Sequence, residues 1–214
     1  ASAEEVRSAG FDKVVVATGM VPKRIKLPGD GSVPVTTAYD ILLKKVMAGR
    51  RVLVVGGGSV GCETAQYLAH EGGASAEQVY FLLANQAERL EKVAALTNST
   101  RREITIVDVA SIGSGFDPGT GWPVMKDLQR LGVKRFSETA ITDIRNGVVI
   151  LSPAHGGDQI ELTCDTIVLA AGGRPNNDLA EALTDASIEV HLLGDAQQVG
   201  KIIDAIREAA ELAE

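Results

Sequence analysis

The chain has 214 residues, of which 45% are apolar and 23% charged, and its net charge is −7. That length builds one substantial core or two small ones, and the acidic balance argues against nucleic acid or an anionic membrane as a bulk partner. No apolar run reaches the roughly 18 residues that would span a bilayer, and no signal peptide is legible.

The first element is Asp12–Pro22, in which a buried strand around Val14-Val-Val16 leaves on Ala17-Thr18-Gly19. Aromatics are few, while Val, Ile, Ala and Gly are plentiful, as buried parallel strands require. Thr36-Thr37-Ala-Tyr-Asp40 predicts a helix start, with threonine caps and an acid in the first turn, and Gly49 is expected to end that helix. Next comes Val52-Leu-Val-Val55, an apolar run that stops at Gly56-x-Gly58-x-x-Gly61 and passes into a helix reaching His70. Strand, glycine turn and helix in that order are the fingerprint of a dinucleotide site. Gly56 permits the tight turn, Gly58 lets the backbone approach a pyrophosphate, and Gly61 lets the helix pack close to the strand. The phosphates then rest on unpaired amides at the positive end of the helix. Glu63 either favours that helix end, by about 0.3–1 kcal/mol, or reaches the nicotinamide end of the site.

Between Ala76 and Leu96, the residues Val79, Leu82, Leu83, Gln86, Leu90 and Val93 fall on one helical face. Glu and Ala dominate the second half of this stretch, so it predicts a helix rather than the second strand of the fold. The second strand is then Ile104–Val107, ending at Asp108. A dinucleotide half-domain places an acid there, about 20 residues past the glycines, to bind the adenosine ribose. Asp108 lies 47 residues past Gly61, which fits if residues 74–102 are a helical insertion. Its carboxylate would accept from the ribose 2′- and 3′-hydroxyls and repel a 2′-phosphate. No Arg or Lys occurs between Val109 and Asp117, so NAD is favoured over NADP.

Trp122–Leu131 reads as a helix closed by Gly132. Thr139–Ile144, Val148–Leu151 and Gln159–Leu162 read as a small antiparallel group, with turns at Asn146-Gly147 and His155-Gly156-Gly157. Asp165–Pro175 then repeats Asp12–Pro22 at a spacing of 153, with five identical pairs, among them Gly19/Gly172 and Pro22/Pro175. Each copy is a strand that leaves its sheet on small residues and glycine, as a chain does beside a bound nucleotide. Val190–Asp195 is a further strand with its exit at Gly194, and a helix follows from Ile202. Cys62 and Cys164 form no C-x-x-C and read as reduced, half-buried thiols of a cytoplasmic protein. Cys62, in the first turn of the fingerprint helix, is a minor candidate for reactivity. The histidines show no metal-ligand spacing, no catalytic side chain is assigned, and any chemistry is left to a cofactor. The fold class is α/β: a Rossmann-like dinucleotide domain with a parallel sheet, helices and a small antiparallel β group.

Taken in order, Val14-Val-Val-Ala-Thr-Gly19, Gly56-Gly-Gly-Ser-Val-Gly-Cys-Glu63-Thr-Ala65, Gly172-Gly-Arg-Pro-Asn176 and Leu193-Gly-Asp-Ala196 resemble a flavoprotein with two dinucleotide domains. Gly119-Thr-Gly-Trp122 and Leu128-Gln-Arg-Leu-Gly-Val133 narrow the match. The chain is similar to the C-terminal FAD/NAD(P)-binding region of the 2,4-dienoyl-CoA reductase and 2-enoate reductase family, NADH:flavin oxidoreductases related to old yellow enzyme. The resemblance implies that NAD(P)H passes hydride to FAD. Electrons would then move through an iron–sulfur cluster to FMN in a barrel domain, where an enoyl double bond is reduced. It also implies that Gly56, Gly58, Ser59, Val60, Gly61, Glu63, Asp108 and Gly172 line the NAD site. Thr18, Gly19, Gly194 and Asp195 would belong to the FAD domain, with Asp195 on the ribityl chain.

The family's FAD fingerprint should lie well before Asp12, where this sequence has only eleven residues, and the barrel and cluster cysteines are not in it. The chain therefore reads as an NAD(P)-binding domain at 45–184 between remnants of a second, FAD-type domain at 1–44 and 185–214. Its implied partners are NADH, FAD and the barrel domain of a parent chain, and the pattern leaves room for a homo-oligomer. Two alternatives stand beside this. One is a structural module that holds an ADP group without hydride transfer. The other is the NAD domain of a disulfide-reductase-type flavoprotein, which the missing redox cysteine pair weakens.

Overall fold

The computed structural model describes residues 1–117, 119–184 and 188–213. In chain order the elements begin with α1 (Ala3–Ser8), β1 (Lys13–Val16), β2 (Met20–Pro22), β3 (Val35–Thr37) and α2 (Ala38–Leu42). Then come β4 (Arg51–Val55), α3 (Ser59–His70), α4 (Ala76–Ala84), α5 (Leu90–Thr97) and β5 (Glu103–Val107). Beyond them lie α6 (Trp122–Arg130), β6 (Lys134–Phe136), β7 (Thr139–Arg145), β8 (Val148–Pro153), β9 (Ile160–Thr163) and β10 (Thr166–Leu169). The chain closes with β11 (Gly173–Pro175), α7 (Asp178–Leu183), β12 (Glu189–Leu192), a 3-10 turn at Gly194–Ala196, and α8 (Ile202–Ala213).

Two compact units result: Arg24–Ala171, and Ala1–Lys23 together with the chain from Gly172 onward. The first holds a parallel sheet in the order β3-β10-β4-β5-β6. Strand alternation sends its side chains to two cores. Val52, Val54, Ile104, Ile106 and Val168 meet Ala38, Cys62, Leu68 and Leu128 from the helical side. Leu53, Val107, Ile167 and Leu169 meet Ile144, Val149 and Leu151 from the antiparallel sheet β7-β8-β9. With both faces covered, β4 and β10 are near-continuous apolar runs, as an all-parallel sheet demands. The Rossmann-type α/β architecture with its small antiparallel group is the one read from the sequence.

In the second unit β1 pairs β12 in parallel. The near-repeat acquires a structural meaning here. Its two strands, β1 and β10, fall in different sheets, while its two exits pair with each other. β2 and β11 form an antiparallel ribbon, with Pro22 opposite Gly173 and Met20 opposite Pro175.

Several boundaries differ from the sequence reading. α2 is capped by Thr37, whose hydroxyl accepts the Asp40 amide, but it ends at Leu42 rather than Gly49. Lys44 turns to a φ of 57°, which no helix continues. Gly49 serves the sheet instead, donating its N–H to Thr166 Oγ1 at 2.9 Å. The helix expected over 76–96 is two, α4 and α5, parted at Asn85 and at Gln86, whose φ is 49°. α4 buries none of its residues, so no packing holds one long helix together. Residues 24–44, grouped from the sequence with the N-terminal remnant, contribute β3 and α2 to the compact unit Arg24–Ala171. At the other limit, residues 172–184, grouped from the sequence with the NAD(P)-binding domain, fall in the unit of Ala1–Lys23, where β11 pairs with β2. Residue 185 itself lies outside the described residues.

Candidate dinucleotide site

The site grows from the end of β4. Gly56 takes a φ of 110°, and a Cβ on it would lie 2.4 Å from the Ala170 carbonyl oxygen, so the turn admits only glycine. A Cβ on Gly61 would fall 1.9 Å from the Gly56 oxygen, which shows how closely α3 is drawn onto the turn. Gly58 is different: nothing lies within 4 Å of its Cβ position. Two of the three glycines thus serve the fold, and the middle one faces open space. Gly58 is also the N-cap of α3, where it provides no side-chain cap, and the first turn carries no acid. The leading amides of α3 therefore lack the side-chain acceptor that helix starts ordinarily recruit, at the positive end of the helix dipole.

Asp108 stands just past β5. Its Oδ2 accepts the Gly57 N–H at 2.5 Å, and its Oδ1 accepts the Ala110 N–H at 2.8 Å. The expected ribose acid is thus fastened to the glycine turn, and it organises that turn through Gly57. A carboxylate offers about four lone-pair sites, so two backbone bonds leave acceptor capacity over. The chain then folds back on the turn. Gly113 donates its N–H to the Gly57 carbonyl at 2.7 Å, and Ile112 donates its N–H to Ser137 Oγ at 3.1 Å. Gly57, Ile112, Gly113 and Ser137 were not singled out from the sequence. The Gly113-x-Gly115 spacing after the second strand was the one available signal.

Ser59 is half-buried, Val60 is 38% exposed, and Glu63 is exposed on α3. Glu63 sits beyond the first turn, where the effect of the helix end has fallen away, so its role as a favourable first-turn charge is set aside. Cys62 is fully buried and donates its S–H to the Gly57 oxygen at 3.4 Å. Burial pushes its thiol up to about 11, in keeping with the buried, reduced thiol read from the sequence and against its minor candidacy for reactivity.

Gly56, Gly58, Ser59, Val60, Gly61, Glu63 and Asp108 all lie in the unit Arg24–Ala171. Gly172, Thr18, Gly19, Gly194 and Asp195 lie in the other. There the two glycine exits are tied together: the Thr18 hydroxyl donates to the Asn176 carbonyl, and the Asn176 N–H donates to the Gly19 carbonyl at 3.0 Å. Gly19 and Gly172 both hold a positive φ, 73° and 79°. Asp195 Oδ1 accepts the Gly200 N–H at 3.0 Å, and Gly194 donates its N–H to Glu208 Oε2 at 2.7 Å. Glu208 belongs to no motif and could not be picked out from the sequence.

A cavity of about 540 Å³ opens at the other end of β4 and β5, lined by Arg51, Thr100, Arg102 and Lys134 among others. Parallel α/β sheets bind ligands beyond the carboxyl ends of their strands, so it lies at the wrong end for a dinucleotide. Its arginines are also engaged, Arg51 with Asp165 and Arg102 with Glu71, each at 2.5 Å.

The family model described as pyridine nucleotide-disulphide oxidoreductase matches residues 2–197. The chain belongs to that family. This pyridine nucleotide-disulphide oxidoreductase chain is 36% identical over 205 residues to a metal reductase of Desulforamulus reducens, covering 95% of the chain and 30% of that protein. It is 32% identical over 220 residues to an NADH oxidase of Thermoanaerobacter brockii, covering all of the chain and 29% of that protein. Among solved structures, a 2-naphthoyl-CoA reductase complex matches with a TM-score of 0.78 at 25% identity, over 99% of the chain and 28% of its own. The chain thus spans about 30% of the length of these curated relatives. These relatives are oxidoreductases by name, and the family binds FAD and NAD(P). Among the described residues no helix is long and apolar enough to cross a membrane.

Proposed function

We propose that the unit Arg24–Ala171 binds NADH across Gly56–Gly61, as the pyridine-nucleotide domain of a larger flavin-dependent reductase. One observation carries this assignment. The turn is closed by glycines at Gly56 and Gly61, while Gly58 opens onto free space beside the uncapped start of α3. That combination fits a pyrophosphate, which needs both close backbone approach and unpaired amides.

Gly58, Ser59, Val60 and Gly61 would hold the phosphates. Asp108, kept in place by the Gly57 and Ala110 amides, would accept from the adenosine ribose with its remaining lone pairs. A 2′-phosphate would meet that carboxylate, with no Arg or Lys between Val109 and Asp117, so NADH is the preferred form. Glu63 would stand toward the nicotinamide. Thr18, Gly19, Gly194 and Asp195 would contact FAD in the parent protein. When bound, NADH supplies a hydride for FAD, and the family resemblance extends the path through an iron–sulfur cluster and FMN to an ene-reductase centre outside this chain. The two free cysteines suit a reducing compartment such as the cytoplasm.

Gly58→Val is the direct test. Its Cβ enters space with no protein atom within 4 Å, so the fold should be unchanged while nicotinamide fluorescence no longer reports saturable NADH binding. A variant that binds NADH as the parent chain does would refute the site.

A further inference from the structure

On the dinucleotide reading of Gly56–Gly61, we infer that the segment Ser111–Phe116 is a second wall of the phosphate site, and that Gly115 is the residue that keeps the site open. None of these residues belongs to the glycine fingerprint.

The segment follows Asp108 and is fixed from several sides. Gly113 is bonded to the Gly57 carbonyl at 2.7 Å, and Ile112 to Ser137 Oγ at 3.1 Å. The side chains of Ile112 and Phe116 are half-buried against the core formed with α3 and α6. Between these anchors, Gly115 comes up against the start of α3. A Cβ on it would lie 2.9 Å from the Ser59 nitrogen and 3.2 Å from the Gly58 Cα. An N–H···O bond places its acceptor oxygen about 2.9 Å from the nitrogen, the same distance as that methyl carbon. A methyl at 115 therefore either crowds the first amide of α3 or drives the segment off the turn, and both change the surface that receives a phosphate.

The contrast with Gly58 separates two uses of glycine. A Cβ at 58 meets no protein atom within 4 Å, so what it excludes is a ligand. A side chain at 115 meets backbone, so what it displaces is the wall itself. Gly119 supplies the control, since it too has nothing within 4 Å and lies beyond the anchored stretch. Because the Gly57 carbonyl is bonded to Gly113, a dinucleotide that orders the glycine turn must also order the wall.

Two measurements test this together. In the unmodified chain, hydrogen exchange with and without NADH should show slowing in Gly56–Cys62 and also in Ser111–Phe116. In parallel, Gly115→Ala should raise the NADH dissociation constant at least about tenfold, the scale of a small misplacement of binding groups, while Gly119→Ala stays within about twofold. Slowing confined to Gly56–Cys62, or Gly115→Ala binding as tightly as the parent chain, overturns the wall and leaves the dinucleotide site standing. No saturation by NADH in the unmodified chain overturns both. Should Gly115→Ala fail to fold, the exchange pattern of the unmodified chain decides.

Discussion

The two units give similar apolar strands very different surroundings. β10 is buried at all four positions and β4 at its three central ones. β1 is nearly as apolar, yet only Val16 is buried and Val15 is 49% exposed. β12 buries none of its residues, and neither does α8, where Ile202 is 82% and Ile206 59% exposed. A parallel strand becomes core only with neighbours at its edges and a layer on each face. The unit Arg24–Ala171 supplies these with five strands, helices on one side and an antiparallel sheet on the other. The second unit has two separate two-stranded ladders in their place, β1 with β12 and β2 with β11. A short apolar run thus specifies a strand, and the number of its partners sets how much stability the strand holds.

That comparison can be broken at its strong end first. Ile106, fully buried in β5, should cost about 2–5 kcal/mol on replacement by Ala, read from denaturant midpoints at constant slope. A loss below about 1 kcal/mol would mean that the covered sheet is not where stability resides.

Next in size is the clamp between α3 and α6. Asp127 accepts from Gln66 at 2.9 Å and from Arg130 at 2.5 Å, and pairs with His70 at 2.5 Å. Burial pushes its carboxyl up, but the bonds from Gln66, Arg130 and His70 outweigh it and hold the group at about 2. Asp127→Ala should destabilise the chain by about 2 kcal/mol, as loss of hydrogen bonds to a charged group does. Asp165 is likewise held at about 2, chiefly by its side-chain bonds to Arg51.

Both carboxyls are depressed from 3.8. Their stabilisation is therefore complete above the ordinary carboxylate range and is lost as pH falls from about 4 toward 2. Thermal unfolding followed down that range should show a shallower decline in Asp165→Asn than in the parent chain. Equal declines would sever the link to Asp165.

The smallest effect belongs to the open unit. Ile206→Ser should shift stability by less than about 0.5 kcal/mol, as exposed positions do. A cost near that of Ile106→Ala would erase the distinction between the units.

Much of the covered unit was legible because its signals are local. The Val52–Gly61 run, the Asn146-Gly147 turn and the helix end at Gly132 need only near neighbours to take shape. What escaped depended on distant partners. α2 stops at Leu42 although no breaker is written there, and α4 parts from α5 at Gln86, with none of α4's own residues fully buried to hold a single helix. The fastening of Asp108 to Gly57, the fold-back of Ile112 and Gly113, and the bond from Gly194 to Glu208 each join residues far apart in sequence, which periodicity does not reach. The reduced, buried thiol read at Cys62 stands, and the packing around it removes the minor case for reactivity that its helix position had suggested.

Side-by-side titration with NADH and NADPH, followed by nicotinamide fluorescence, tests the central claim most directly. A glycine turn open at Gly58 and walled by Asp108 predicts saturable NADH binding, with NADPH weaker by at least about tenfold, or about 1.4 kcal/mol. Tighter binding of NADPH would contradict the role given to Asp108, and no binding of either nucleotide would contradict the site itself.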